Sequence, residues 1–330
     1  MWHNIWHIAS KPDNIPIVIM LFLVLFFGWL SFSLAFKNDR IRAEAARRRK
    51  EEEGEGEGEK KAKGDVVDVI DIMYPEEEQG LPRKVSCWPH LVKLEFICAI
   101  LVMALLIIWS VPIDAPLEEP ANAALTPNPS KAPWYFLGLQ DMLVYFDPYI
   151  AGVILPSFII FGLILVPYVD VNPKGNGYYT FSERRFAILT YWFGFFFLWV
   201  VEIVIGVFCR GPGWMFFVPG QRWDPHRVVA EVNINLNEFL ANMTGMAELK
   251  SYEAGLIIGL GAILGYYAIG TLLPYIWLKR SNSETLEKLG FIRYSIVCFF
   301  FWTMMALPIK MVMRLFFSIK YILVTPWLNV

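Results

Sequence analysis

Six apolar runs, each close to or above the roughly 20 residues that carry a helix across about 30 Å of hydrocarbon, decide what this chain can fold into. They are Ile15–Phe36, Leu94–Val111, Tyr149–Val169, Phe186–Val207, Ala254–Leu278 and Phe291–Leu307. In hydrocarbon every backbone N–H and C=O needs an internal partner, so such runs fold as helices. The sequence predicts an all-α, polytopic transmembrane protein. The chain is 56% hydrophobic and only 18% charged, which agrees. Pro156 and Pro274 fall inside the third and fifth runs, where a spanning helix tolerates a kink. The last run leads into Lys310, Arg314 and Lys320 at helical spacing among Phe, Met and Ile. That pattern predicts an interfacial amphipathic segment.

Charge orients the crossings. The first run is too long, and too far from a small-residue cleavage site, to read as a signal peptide. It is followed by Lys37, Arg40, Arg42, Arg47, Arg48, Arg49 and Lys50, a cluster expected in the cytoplasm, with the N-terminus outside. Alternation then puts the 37–93 stretch, the Asp170–Arg185 loop and the 279–290 loop inside. The 113–148 loop carries one basic residue, Lys131, against Asp114, Glu118, Glu119, Asp141 and Asp147, as an outside loop should. Arg210, Arg222, Arg227 and Lys250 make the outside loop 208–252 a partial exception. Glu51–Gly64 reads EEEGEGEGEKKAKG, too charged and glycine-rich to bury a core, and predicts a flexible tether. The expected organisation is an N-terminal helix (1–36), a charged cytoplasmic linker (37–88), a helical body (89–278) and a C-terminal membrane or interfacial segment (279–330).

The redox and metal vocabulary is thin. None of Cys87, Cys98, Cys209 and Cys298 forms a Cys-x-x-Cys pair, and no Cys-x-x-Cys-His haem attachment exists. His3, His7, His90 and His226 all avoid the middle of a spanning run. The chain cannot supply two transmembrane bis-histidine pairs, so it is expected to bind no b haem alone, and no metal. No P-loop, dinucleotide fingerprint or zinc signature is present. Gly255, Gly259, Gly261, Gly265 and Gly270 in the fifth run are expected to permit close helix packing.

One loop stands out. Pro129-Ser130-Lys131-Ala132-Pro133-Trp134-Tyr135-Phe136 lies between two spans. Proline fixes the backbone, and Trp and Tyr set apolar rings at headgroup level with polar tips free. The corner can anchor the chain at the interface, or wall a pocket for a flat hydrophobic ligand arriving from the lipid.

With a helix before this corner and two after it, joined by Val169-Asp170-Val171-Asn172-Pro173-Lys174-Gly175, the chain resembles the C-terminal half of cytochrome b, equivalent to subunit IV of plastid-type cytochrome bf complexes. The resemblance covers about Pro89 to Leu278. It is also similar to bacterial split cytochrome b chains, through Ala132-Pro133-Trp134-Tyr135-Phe136-Leu137-Gly138-Leu139-Gln140 and Arg210-Gly211-Pro212-Gly213-Trp214. The N-terminal helix with its linker, and the segment after 290, lie outside the plastid-type pattern.

The resemblance implies a membrane subunit of a quinol:cytochrome c oxidoreductase in a bacterial cytoplasmic membrane. Its substrate would be quinol, and Pro133, Trp134, Tyr135 and Phe136 would line the outside oxidation pocket. Haem b and an iron–sulfur cluster would sit in partners: a haem-binding N-terminal-half cytochrome b subunit and a Rieske protein, with a c-type cytochrome beyond. Membrane lipids are expected contacts and nucleic acid is not. Lys93 and Glu95, at the inner end of the second helix, would lie near the family's second quinone site, although ordinary snorkelling plus a helix-end charge is the favoured explanation of them. The family's common Pro-Glu-Trp-Tyr carries a glutamate thought to accept a quinol proton. Here Pro133 stands in its place. Asp141, seven residues after Trp134, and Glu202, approaching the outside surface from the fourth run, are the candidate replacements, Asp141 first. A transporter or channel subunit, or a structural anchor of a redox complex, are the alternatives. A transporter usually places several ionisable groups at mid-membrane, where this chain has little beyond Glu202.

Overall fold

The structure is a computed structural model that describes residues 2–12, 14–55, 86–114, 117, 120–174, 178–218, 221–224, 226–227 and 232–330. Glu118, Glu119, Gly175 and most of the Glu51–Gly64 run lie outside the described residues. Among the described residues the protein is mainly helical, and six helices are long and apolar enough to cross a membrane. In chain order the elements are α1 (Trp2–Ala9), α2 (Ile15–Glu55), α3 (Val92–Ser110), α4 (Leu137–Met142), α5 (Ile150–Val169) and α6 (Phe181–Cys209). Then come β1 (Ile234–Asn235), α7 (Leu236–Thr244), α8 (Tyr252–Arg280), α9 (Glu284–Phe317) and β2 (Ile319–Tyr321). The spanning helices are α2, α5, α6, α8, α9 and the helix that begins at Cys87 and continues as α3.

Two expectations about boundaries are corrected. The linker was expected from residue 37, yet α2 continues to Glu55. Its Ala, Arg, Lys and Glu residues are strong helix formers, so the helix outlasts its apolar run. The basic stretch after the sixth run also differs from an interfacial segment lying on the membrane. Lys310 and Arg314 belong to α9 itself, and Lys310 is buried, donating to the Lys320 carbonyl with its ammonium 5.3 Å from the centre of the Phe146 ring.

The chain divides into two compact units: Met1–Ile17 with Glu118–Asn172 and Tyr191–Val330, and Val18–Leu117 with Pro173–Thr190. In the second unit, residues just beyond the first apolar run hold the start of α6. Asp39 accepts from the Ser182 backbone N–H at 2.9 Å and from its hydroxyl at 2.8 Å. A carboxylate there satisfies a free amide and complements the positive end of the helix dipole. Asn38 donates to the Tyr179 carbonyl at 3.0 Å, and Arg42 pairs with Glu183 at 3.1 Å. Residues 38–42 and 179–183 thus share one end of that unit. No residue of α3 is buried, so its apolar surface is left for lipid or for partner helices.

In the first unit, α8 and α9 pack closely. The Trp302 indole N–H donates to the Gly270 carbonyl at 2.7 Å, and the Tyr266 hydroxyl donates to the Trp302 carbonyl at 2.7 Å. Tyr294 donates to the Thr271 carbonyl at 3.0 Å. With no water in hydrocarbon, these polar tips find partners across the helix pair. A Cβ at Gly270 would lie 2.6 Å from the Trp302 ring, and one at Gly259 would lie 2.6 Å from the Ile322 carbonyl. Gly261 and Gly265 meet nothing within 4 Å. The segment after α9 folds back through a short parallel pairing of β2 with β1, and Asn329 donates to Asp147 at 3.2 Å. A core of Met142, Val144, Tyr145, Phe146, Ile150, Ala151 and Leu307 lies beneath it.

Gly270→Leu is expected to destabilise the protein by about 1–3 kcal/mol, the usual penalty of overpacking. Gly261→Ala should be neutral or slightly stabilising, since nothing opposes its methyl. Thermal unfolding of the two variants in detergent, side by side, checks the contrast.

Candidate functional site

The aromatic corner rests on a short helix with a fully buried inner face. Pro133 holds the chain extended, Trp134–Phe136 forms one 3₁₀ turn, and α4 follows directly. Gln140 anchors the approach with both ends of its amide: it donates to the Ser130 carbonyl at 2.7 Å and accepts from the Ala132 N–H at 2.8 Å. The Trp134 and Tyr135 rings stand perpendicular with centroids 5.7 Å apart, and Tyr135 and Phe136 are 4.5 Å apart. Pro133, Tyr135 and Phe136 are exposed and Trp134 is half-buried. The corner offers an apolar aromatic surface, while Leu137, Gly138, Asp141 and Met142 turn inward.

Inward lies α6, and glycines set the approach. A Cβ at Gly138 would sit 3.3 Å from Ile203 and 3.4 Å from the Trp199 carbonyl. One at Gly206 would sit 3.1 Å from Leu137. Small residues on both helices let the backbones close up, and this brings Asp141 and Glu202 together. Asp141 is 0% and Glu202 1% exposed, with their carboxyls within hydrogen-bonding reach of each other.

Two buried carboxyls cannot stand without compensation. It comes from Arg210, just past the end of α6 and 4% exposed. Its Nε donates to Asp141 at 2.6 Å and its Nη2 to the other Asp141 oxygen at 3.4 Å. Nη2 also reaches the Tyr145 hydroxyl at 3.3 Å, and Nη1 the Trp214 carbonyl at 3.1 Å. Tyr145 lies one helical turn beyond Asp141 and donates to it at 3.5 Å. Burial, then the negative charges of Asp141 and Glu202, push the Tyr145 phenol up against the opposing pull of Arg210. It therefore stays a neutral O–H donor. The partners are unequally shared. Asp141 has Arg210 and Tyr145, whereas the Oε2 of Glu202 is buried without a hydrogen-bond partner.

The turn after Arg210 is shaped to hold it. Gly213 and Trp214 both adopt positive φ, at 63° and 59°. Glycine does so freely, while tryptophan is strained there and needs surrounding bonds to keep it. The Gly213 N–H donates to the Asn128 side chain at 2.6 Å, and the Trp214 carbonyl accepts from Arg210. Between this turn and the 127–130 loop is a cavity of about 400 Å³, lined by Pro127, Asn128, Pro129, Ser130, Gln140, Leu143, Val144, Gly213 and Trp214. Lys131 donates to the Val207 carbonyl at 2.8 Å, placing a cation at the carboxyl end of α6, where the dipole favours it. Burial, and then the charge of Lys11, lower its pKa to about 8, against a small opposing effect of Cys209.

Of the residues singled out from sequence, the corner, Asp141 and Glu202 meet in one place. Arg210 and Tyr145 complete that place and were not chosen. Tyr145 had a signal, being four residues from Asp141 on the same helical face. Lys93 and Glu95 are exposed on α3 and make no hydrogen bond or ion pair among the described residues. Their geometry is that of an ordinary helix start. The described histidine side chains, His7, His90 and His226, are all exposed. Among the described residues no group of three or more His, Cys, Asp or Glu is placed to hold a metal.

Residues 120–209 match the family described as cytochrome b(C-terminal)/b6/petD. That stretch is similar to a cytochrome b C-terminal domain, and the similarity, together with the six apolar helices, supports a redox membrane subunit of the cytochrome b/b6-f type. The match takes in the corner, Asp141, Tyr145 and Glu202 and ends one residue before Arg210. No curated protein and no solved structure matches the chain.

Two measurements probe this site. Arg210→Gln removes the partner of a buried carboxylate and should cost about 3–5 kcal/mol of stability. Asp141→Asn combined with it should cost clearly less than the sum of the single changes, as equilibrium unfolding in detergent will show. Lys131 should become reactive toward acylating reagents around pH 8, against about 10.4 for a solvated lysine. Below pH 8 its buried charge opposes folding, and that penalty fades as pH rises toward the ordinary lysine value. Mass spectrometry of Lys131 labelling across pH reads the midpoint.

Proposed function

We propose that this chain completes the extracytoplasmic quinol-oxidation pocket of a quinol:cytochrome c oxidoreductase in a bacterial cytoplasmic membrane, its N-terminus outside. The observation that carries the reading is the exposed Pro133–Phe136 corner mounted directly on a helix whose inner face presents Asp141 to Glu202. The partners in this reading are a haem-binding cytochrome b subunit, a Rieske iron–sulfur protein and a c-type cytochrome. Their haem and iron–sulfur groups supply the electron acceptors. Lys131 as the sole basic residue of the 113–148 loop, against the cluster after residue 36, supports the orientation.

This chain's residues handle substrate and protons. Trp134, Tyr135 and Phe136 offer flat apolar rings to a quinol ring and exclude water around it. Oxidation releases protons, and an acceptor must lie within hydrogen-bond reach or one water away. Arg210 and Tyr145 already occupy Asp141, while Glu202 has an oxygen without a partner. Glu202 is therefore the better first acceptor, reversing the order expected from sequence. An O–H formed on Glu202 finds its own acceptor in Asp141. Arg210 fixes Asp141 and balances its charge, so it is a positioning residue.

The purified complex should show b-haem absorbance that responds to a quinol analogue. Glu202→Gln is expected to slow that reduction by about 10²-fold or more, the usual worth of a positioned proton acceptor, with haem content intact. Asp141→Asn should slow it less. A colourless complex, or a Glu202→Gln rate equal to wild type, would sink the reading.

A further inference from the structure

Lys37, Arg40 and Arg185 are exposed cations that the quinol site does not use. Two elements bring them to one level of the membrane. The apolar run Ile15–Phe36 makes about 33 Å of helix at about 1.5 Å per residue, so α2 leaves the hydrocarbon near Phe36. The headgroup layer beyond is about 5–8 Å deep. Lys37 and Arg40 come about 1.5 and 6 Å past Phe36, inside that layer. The start of α6 reaches the same level through its first ring. Phe181 lies 5.1 Å from Phe36 and 6.2 Å from Phe32, centre to centre. The Arg185 guanidinium stands over that same Phe181 ring, 5.6 Å from its centre. The two faces of α2 divide the work here. Asn38, Asp39 and Arg42 grip the Tyr179–Glu183 stretch. At about 100° per residue, Lys37 and Arg40 fall on the opposite face, with Glu44 as its acid. Asp39 and Glu183 are spent on the grip. Lys37 and Arg40 make no hydrogen bond or ion pair among the described residues.

We propose that Lys37, Arg40 and Arg185 bind the headgroup of an anionic phospholipid where α2 emerges from the membrane. Charge complementarity and depth both select this occupant. Guanidinium forks match phosphate oxygens in pairs, and each cation near an anionic surface is worth about fivefold in affinity. The cations lie within the headgroup layer, and Phe36 and Phe186 beside them in sequence are exposed, an apolar surface for acyl chains. An acidic face of a soluble protein would have to displace headgroups to reach Lys37. The lipid thus adds a second tie between α2 and α6, beside the polar grip. The inference rests on the spanning helices and their charges and stands apart from the quinol reading.

The test uses the full chain, with whatever subunits purify with it, in detergent. Native mass spectrometry follows titration with phosphatidylglycerol, phosphatidylcholine or inorganic phosphate. Wild type should hold phosphatidylglycerol in preference to both. Lys37→Gln with Arg40→Gln removes two side chains that touch no other polar group, so folding is not at stake. It should weaken phosphatidylglycerol binding by about tenfold or more, and Arg185→Gln added to it should remove the preference. The charge-keeping pair Lys37→Arg and Arg40→Lys should retain it. Undiminished preference in the triple variant overturns the inference. So does an equal loss in the charge-keeping pair, which would show a packing effect. Inorganic phosphate bound as well as the lipid would point to a free-anion site and overturn it too. A triple variant that sheds a partner chain while keeping its lipid would mark the surface as a protein dock and sink the lipid assignment.

Discussion

The ion pair between Asp141 and Arg210 is the contact on which the site depends. It joins residues 69 apart in sequence, one on the helix behind the aromatic corner and one just past the end of a spanning helix. Burying either charge alone would cost several kcal/mol, so neither α4 nor the Arg210–Trp214 turn has a stable position without the other. The guanidinium suits the task because its planar fork reaches several acceptors at once. It serves Asp141, Tyr145 and the Trp214 carbonyl together, which also holds tryptophan in a backbone conformation it would otherwise avoid. Gly138 and Gly206 make the pair possible by letting the two backbones approach.

The membrane architecture was legible because one physical quantity governs it. Length and hydrophobicity locate a spanning helix with no knowledge of its neighbours. Helix ends were less legible, for the same reason. Asn38, Asp39 and Arg42 are polar and read as the start of a linker, yet they are helical and cap the start of α6. Only a tertiary partner gives them that role. Lys310 fails the pattern in the opposite sense. Its spacing with Arg314 and Lys320 suggests a wet stripe at the membrane surface. The fold-back of the chain after α9 instead covers it and supplies the Lys320 carbonyl to its ammonium. Hydrophobic periodicity carries no information about such a fold-back.

The site was legible in its parts and not in its hierarchy. The Pro-Trp-Tyr corner announces itself by rigid aromatic chemistry, and two acids near one membrane surface are natural candidates for proton work. Which acid is occupied and which is available depends on Arg210. In sequence that residue is one of several basic residues in a loop, and it looked like an exception to charge asymmetry rather than a partner. Its burial explains the exception: a guanidinium bound to a carboxylate inside the protein no longer counts as a free positive charge at the membrane surface. Once it is taken out, the 208–252 loop weighs less heavily against an outside location.

Pro133, not an acid, stands before Trp134 on the exposed corner, and this has a mechanical consequence. A glutamate at that position would sit on the exposed corner, beside the apolar rings, where a side chain has room to turn. The acids here sit behind the corner. Glu202 projects from a spanning helix and Asp141 is held by a two-point ion pair, so neither can swing toward solvent. If protons leave by this side they must move between fixed groups, not on a rotating one. That demands closely spaced donors and acceptors and a hydrated exit, and it makes packing around the cluster matter as much as the acids themselves. The tight glycine contacts, the saturated arginine and the covering C-terminal segment all act toward that rigidity.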